Sequence, residues 1–245
     1  MTWLRQYRDL VSMQLRAMRG EIWFVGMIQV VLSLGLVFGF GYLIPDISET
    51  TALFLVTGTA TQAFITVGLV MLPQMLAQAK EMGRIEYFLT MPISREAYLL
   101  ALVTVVAIMA LPAVAFCVVL GAWHYDLSLT VEPAFAAVAL LAVFSLAGAG
   151  VAMAVYSPHP QVTNALTQLI IFYVLFFAPV LLPKEQLPEF LQFTSAFAPP
   201  TYAADGIRAT LTDLPGTHLA RSLTVMSGFA AGSLVLSAVA MRRRG

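Results

Sequence analysis

The sequence predicts an all-α polytopic membrane protein with six transmembrane helices, and three observations carry that reading. The first is composition: 60% of the residues are apolar and 11% are charged, against roughly 25% charged in a soluble domain. The second is spacing. Apolar residues gather into six runs, near 22–44, 51–79, 98–123, 133–156, 162–182 and 218–241, each long enough for a hydrocarbon core that takes roughly 20 helical residues to cross. The third is charge placement. Ten basic residues (Arg5, Arg8, Arg16, Arg19, Lys80, Arg84, Arg95, Arg242, Arg243 and Arg244) fall in the terminal segments and in the connection after the second run; three, Lys184, Arg208 and Arg221, fall on the other side. Lys and Arg are retained on the cytoplasmic side, so both termini are expected in the cytoplasm.

Taken in order, residues 1–20 place Trp3, Leu4, Tyr7, Leu10, Val11, Leu15 and Met18 at helical spacing, with Arg5, Arg8, Asp9, Ser12, Arg16 and Arg19 opposite. This predicts an interfacial helix lying flat on the membrane, its apolar face in the acyl boundary and its arginines toward the headgroups. The run that follows is long enough to span and has no small-residue cleavage pattern, so it is expected to stay as an anchor rather than leave as a signal peptide. Pro73, Pro112 and Pro179 lie inside runs, where neighbouring helices satisfy the carbonyls they free. Gly35 and Gly39 form a GxxxG spacing, and Gly148 and Gly150 thin the fourth run; both are weak signals of close helix contact.

Between the second and third runs, Gln78 to Tyr98 reads QAKEMGRIEYFLTMPISREAY and holds six charged groups: Lys80, Glu81, Arg84, Glu86, Arg95 and Glu96. Met82, Ile85 and Leu89 recur at spacings of three and four, which predicts a short amphipathic helix over 80–90. Pro92 stops it, because its ring excludes the preceding residue from helical geometry. A helix so placed is suited to receive a push from a soluble partner. The connection from Pro183 to Thr217 is different. Its apolar pieces, 190–198 and 201–211, are too short to span and are separated by Pro199 and Pro200, so re-entrant or interfacial helices over 188–211 are expected on the outer face. Asp205 and Arg208 stand three apart there, spaced to pair on one helical face.

Several function classes are excluded. With Lys80 and Lys184 as the chain's lysines, neither behind a glycine-rich loop, there is no Walker motif. His124, His159 and His218 have no metal-ligand spacing, and the single cysteine, Cys117, lies in an apolar run, where it reads as a small buried hydrophobe. The runs hold one charge, Arg221 near an end, whereas carriers coupled to protons or sodium keep an ionisable group near mid-bilayer. Uncharged polar residues do align: Gln161, Asn164 and Gln168 with Phe172 and Phe176 in the fifth run, Thr57, Thr61 and Gln62 in the second, Gln29 and Ser33 in the first. Such faces serve either an amphiphilic passenger or hydrogen bonding between helices.

Three segments resemble one family, the membrane subunit of type-2 ATP-binding-cassette exporters. EMGRIEYFLTMPISR, Glu81 to Arg95, is similar to its charged, glycine-containing helix followed by Leu-Thr-x-Pro. Asn164 to Phe190, ending in PVLLPKEQLPEF, is similar to its fifth helix and outer proline turn. APPTYAADGIR, Ala198 to Arg208, resembles its Asn-Pro-x-Thr-Tyr-x-x-Asp-x-Ile-Arg pattern, with Ala198 in place of Asn. The resemblance implies a connecting helix, six spans, a coupling helix at about 80–90 and outer re-entrant helices. It further implies a membrane dimer, most simply a homodimer, and two ATPase subunits that bind ATP and Mg themselves, leaving this chain without catalysis or cofactor. No nucleic acid partner is expected, and the location implied is a prokaryotic plasma membrane. Glu81, Arg84, Glu86 and Arg95 are the expected ATPase-coupling residues; Gln29, Thr61, Asn164, Gln168 and Phe172 are the candidates for the translocation path. Efflux of a drug, antibiotic or lipid is the function expected, with glycan export and a scaffold that moves no cargo as the alternatives.

Overall fold

The structure, a computed structural model, describes residues 3–43, 47–84, 94–177, 180–181, 188–195 and 197–242. Among these residues the chain is helical and has no strand. The helices are α1 (Trp3–Ala17), α2 (Arg19–Leu43), α3 (Glu49–Ile65), α4 (Leu72–Glu81), α5 (Arg95–Tyr125), α6 (Ala134–Tyr156), α7 (Pro160–Phe177), α8 (Glu189–Ser195), α9 (Pro199–Leu211) and α10 (Leu219–Arg242). A π-helical turn, Thr66–Met71, joins α3 to α4. Among the described residues, four helical stretches are long and apolar enough to cross a membrane: Ile22–Gly39, Glu49–Glu81, Leu100–Tyr125 and Ala134–Tyr156. The helices α7 and α10 occupy the fifth and sixth apolar runs.

Local chemistry sets the boundaries. Ser48 caps α3 by accepting the Thr51 amide at 3.3 Å, and Ser94 caps α5 by accepting that of Ala97 at 3.3 Å, each satisfying a backbone donor without an intrahelical partner. Asp126, left-handed at φ 52°, ends α5. Prolines open α7 and α9, where a missing N–H costs nothing. On α2, Trp23 and Tyr42 are both exposed and stand ~28 Å apart along the axis, close to a hydrocarbon thickness of about 30 Å with aromatics at each interface.

The π turn has a visible cause. Pro73 lies at the start of α4, cannot donate to the carbonyl four residues back, and would clash with it in a regular helix. The backbone widens just before it: the Leu72 amide bonds to Val67 O, five residues back. The widened turn rests on α6, where a Cβ at Gly150 would collide with Gly68 O. Alanines and glycines along α6 (Ala139, Ala142, Ala147, Gly148, Gly150) are buried; they let α6 sit at the centre, packed against α4, the π turn, α9 and α10.

Two elements are placed differently from their sequence reading. Part of the apolar face of α1 is turned toward protein: Leu10 packs on Ala97 and Ala101, and the Tyr7 hydroxyl meets Thr104 Oγ1 at 2.8 Å, while Trp3 and Leu4 are exposed. The partner is α5, whose 31 residues make a rod of ~46 Å, long enough to carry its first turns beyond a hydrocarbon core. The boundary at 79/80 also moves. The second span continues through Lys80 and Glu81 and breaks at Gly83, φ 68°, so these two charged residues end the span helix. Residues 85–93, the bulk of the expected coupling helix, lie outside the described residues.

Candidate functional site

At the end of the bundle holding the α4 terminus, Lys80 reaches across to α6. Its Nζ donates to Ser157 O at 2.7 Å and to Val155 O at 3.5 Å, carbonyls at the C-terminus of α6, where a cation meets both unsatisfied acceptors and the negative end of the helix dipole. Beside it is a cleft of about 230 Å³ lined by Lys80, Glu81, Ser157 and His159. Glu81 and Arg84 are exposed at this end of α4 and just beyond it. Arg95 is the first residue of α5; Glu86 lies outside the described residues.

The five candidate path residues divide into two groups. Gln29 is buried and donates from Nε2 to Ala63 O at 3.2 Å; Thr61 is fully buried and donates to Thr57 O at 2.8 Å. Both are consumed inside the subunit, as are Ser33, bonded to Cys117 Sγ at 2.8 Å, and Thr59, bonded to Leu55 O at 2.7 Å. On α3 these hydroxyls bond the preceding turn, the ordinary fate of threonine within an apolar helix. Asn164, Gln168 and Phe172 are instead exposed, with Gln161, along one face of α7. The other face of α7 is bound to the bundle through Thr163, Thr167 and Val174, which are buried, and through Gln74 Nε2, which donates to Thr167 Oγ1 at 2.9 Å. Gln161, Asn164 and Gln168 are therefore turned away from the face by which α7 joins the described helices.

A third feature was only half read from sequence. Arg208 pairs with Asp205, Nη1 to Oδ1 at 3.1 Å, as their spacing suggested, yet its side chain is 2% exposed. Its other nitrogens leave α9: Nη2 donates to Val180 O at 2.9 Å and Nε to Thr57 Oγ1 at 3.3 Å, with the guanidinium 3.9 Å from the centre of the Phe54 ring. A buried guanidinium is tolerated when its fork of donors is met and its face is covered. Gly58 completes the joint, since a Cβ there would collide with Val180 O. Arg208 thus fastens α9 to α3 and to the segment beyond α7. The α9 helix itself is buried along most of its length, and its last carbonyls, Thr210 and Leu211, accept the Glu132 and Thr130 amides of the α5–α6 loop at 3.1 and 3.3 Å. Thr57 carried a weak signal as a polar residue in an apolar run; Gly58 carried none.

The reading that the runs hold no central charge therefore needs an addition: a buried cation reaches α3 from α9, satisfied on every side that the structure describes. Its counter-charge, Asp205, is 40% exposed.

The family model described as ABC-2 type transporter fits residues 6–212, from within α1 to just past α9. Among curated proteins no match was found.

Proposed function

This chain belongs to the ABC-2 type transporter family, and we propose that it exports hydrophobic or amphiphilic compounds as one half of a permease homodimer driven by two ATPase subunits. Membership makes it a transmembrane permease component of an ABC transporter, whose energy comes from an ABC ATPase rather than from chemistry in this chain. The observation that carries the finer reading is the α7 stripe. Gln161, Asn164 and Gln168 are exposed on a helix that begins at Pro160, and Gln168 lies ~12 Å along it, well into a hydrocarbon layer if Pro160 marks the interface. Uncharged amides at that depth are unfavourable against lipid and are met by protein or water. A second copy of the chain, with a path between the two α7 faces, supplies both. Amides and an aromatic ring, with no charge among them, suit passengers that are apolar with a few polar groups.

In this reading the six apolar helices span the prokaryotic plasma membrane with both termini in the cytoplasm, and α8 and α9 form the outer re-entrant pair. Glu81, Arg84, Glu86 and Arg95 then face the ATPase. ATP binding closes the ATPase pair, the segment after Gly83 moves with it, and the two α7 faces part toward the outside. The test is ATPase activity of the chain reconstituted in lipid with candidate ABC ATPases, with a panel of hydrophobic compounds, wild type against Glu86→Arg. Compound-dependent turnover that the charge reversal abolishes is the expected result. Turnover indifferent to every compound, with no transport into inside-out vesicles, would leave a scaffold that moves no cargo.

A further inference from the structure

Within the transporter reading just given, on which this inference rests, the stroke has to travel from the segment after Gly83 to α7, and the connection between them is visible. Lys80 stands three residues before the break at Gly83, on the last turn of α4. A lysine at a span terminus commonly reaches toward the headgroups; this side chain turns back on the protein, half-buried, and donates to Ser157 O and Val155 O at 2.7 and 3.5 Å. Ser157 caps α6 just past its last residue, its own amide bonded to Met153 O. Pro158 and His159 then lead straight into Pro160, the first residue of α7. Three residues between a helix end and a helix start, Ser157 to His159, with prolines at both sides of His159, leave little slack. The Gln74 to Thr167 bond at 2.9 Å fastens the same two bodies a second time, about two turns deeper.

Lys80 is thus the link by which the end of α4 grips the α6–α7 corner. We propose that Lys80 is a positioning residue for transport: it makes α4 and the start of α7 move as one body, so that displacement of the coupling segment displaces the amide stripe. It touches neither passenger nor nucleotide. Its effect falls on coupling, and a role confined to stability would not separate coupling from assembly.

The experiment uses the full chain with its ATPase in liposomes and compares Lys80→Met and Lys80→Arg with wild type. Lys80→Met is expected to retain the ATPase and its basal turnover while compound-stimulated turnover and transport fall about tenfold, a usual size for coupling between sites. Lys80→Arg, whose guanidinium presents donors to the same carbonyls, is expected to restore most of the coupling. Normal coupling in Lys80→Met overturns the proposal. Should that variant fail to assemble, spin labels at Gln78→Cys and His159→Cys in the Lys80 chain decide the matter, both positions being exposed and Cys117 being buried. A 78–159 separation that stays constant on ATP binding, while the distance from His159 to its equivalent in the second copy changes, supports the link. A changing 78–159 separation overturns it. A wild-type chain that recruits no ATPase overturns the transporter reading itself, and that result is recognised before any variant is made.

Discussion

At the scale of single residues, the informative asymmetry lies between Asp205 and Arg208. The carboxylate is 40% exposed and the guanidinium 2%, so removing either partner leaves a different remainder. Arg208→Met leaves a carboxylate that water reaches and, among the described residues, takes the donor from one strong acceptor, Val180 O; Thr57 Oγ1 keeps its bond to Leu53 O at 2.7 Å. Leaving such an acceptor unmet costs about 1–3 kcal/mol. Asp205→Ala leaves a buried cation without its counter-charge, which costs about 3–5 kcal/mol in comparable sites, reduced here by the Phe54 face and the Val180 carbonyl. The expected order, from unfolding in mixed detergent micelles, is that Asp205→Ala destabilises more than Arg208→Met. The reverse order would mean that the side chain of Arg208 acts chiefly by filling space against Phe54. Sequence spacing revealed this pair because i and i+3 share a helical face. It did not reveal the bonds to Thr57 and Val180, since nothing local in a chain records a contact 151 or 28 residues away.

Whole elements were more legible, and the reason is physical: hydropathy reports how long a segment prefers to be out of water. The expected runs at 98–123 and 133–156 became α5 over Arg95–Tyr125 and α6 over Ala134–Tyr156 for that reason alone. Hydropathy does not say what covers an apolar face, which is why it does not separate Leu10, packed on α5, from the exposed Leu4, or the buried Gln29 and Thr61 from the exposed Asn164 and Gln168. Nor does a proline in an apolar run announce a π turn; the displaced hydrogen bond is visible only once the helix is built. The placement of α1 gives its own prediction. Leu10 is 5% exposed against Ala97 and Ala101, whereas Leu4 is 70% exposed. Leu10→Ala should cost about 2–5 kcal/mol and open the trypsin sites at Arg8 and Arg16, while Leu4→Ala should do neither. Equal, small effects of the two substitutions in thermal melts and limited proteolysis would return the apolar face of α1 to the lipid.

On the scale of the whole molecule, the isolated subunit is unevenly finished. Its interior is closed around α6, and the joint at Arg208 and the grip of Lys80 hold the two ends of the α3–α4 span, but one face of α7 is left with amides outward. A two-fold assembly resolves this economically, because a patch on the axis meets its own copy. Residues near such an axis are distinguished by proximity to themselves. Asn164→Cys and Gln168→Cys should therefore form intermolecular disulfides under mild oxidation in native membranes, in a ladder that follows the stripe toward Phe172. Leu140→Cys, exposed on α6 among apolar neighbours and read as facing lipid, should stay monomeric; the native Cys117 is buried and does not compete. If the two α7 faces also bound the path, the yield at Asn164→Cys should change when ATP is trapped on the ATPase, because the stroke alters the separation of the copies. Cross-linking at Leu140→Cys with none along α7 would place the seam on α6 and leave the amide stripe facing something other than a second copy. A ladder along α7 that ignores nucleotide would keep the dimer and remove the path from between these helices.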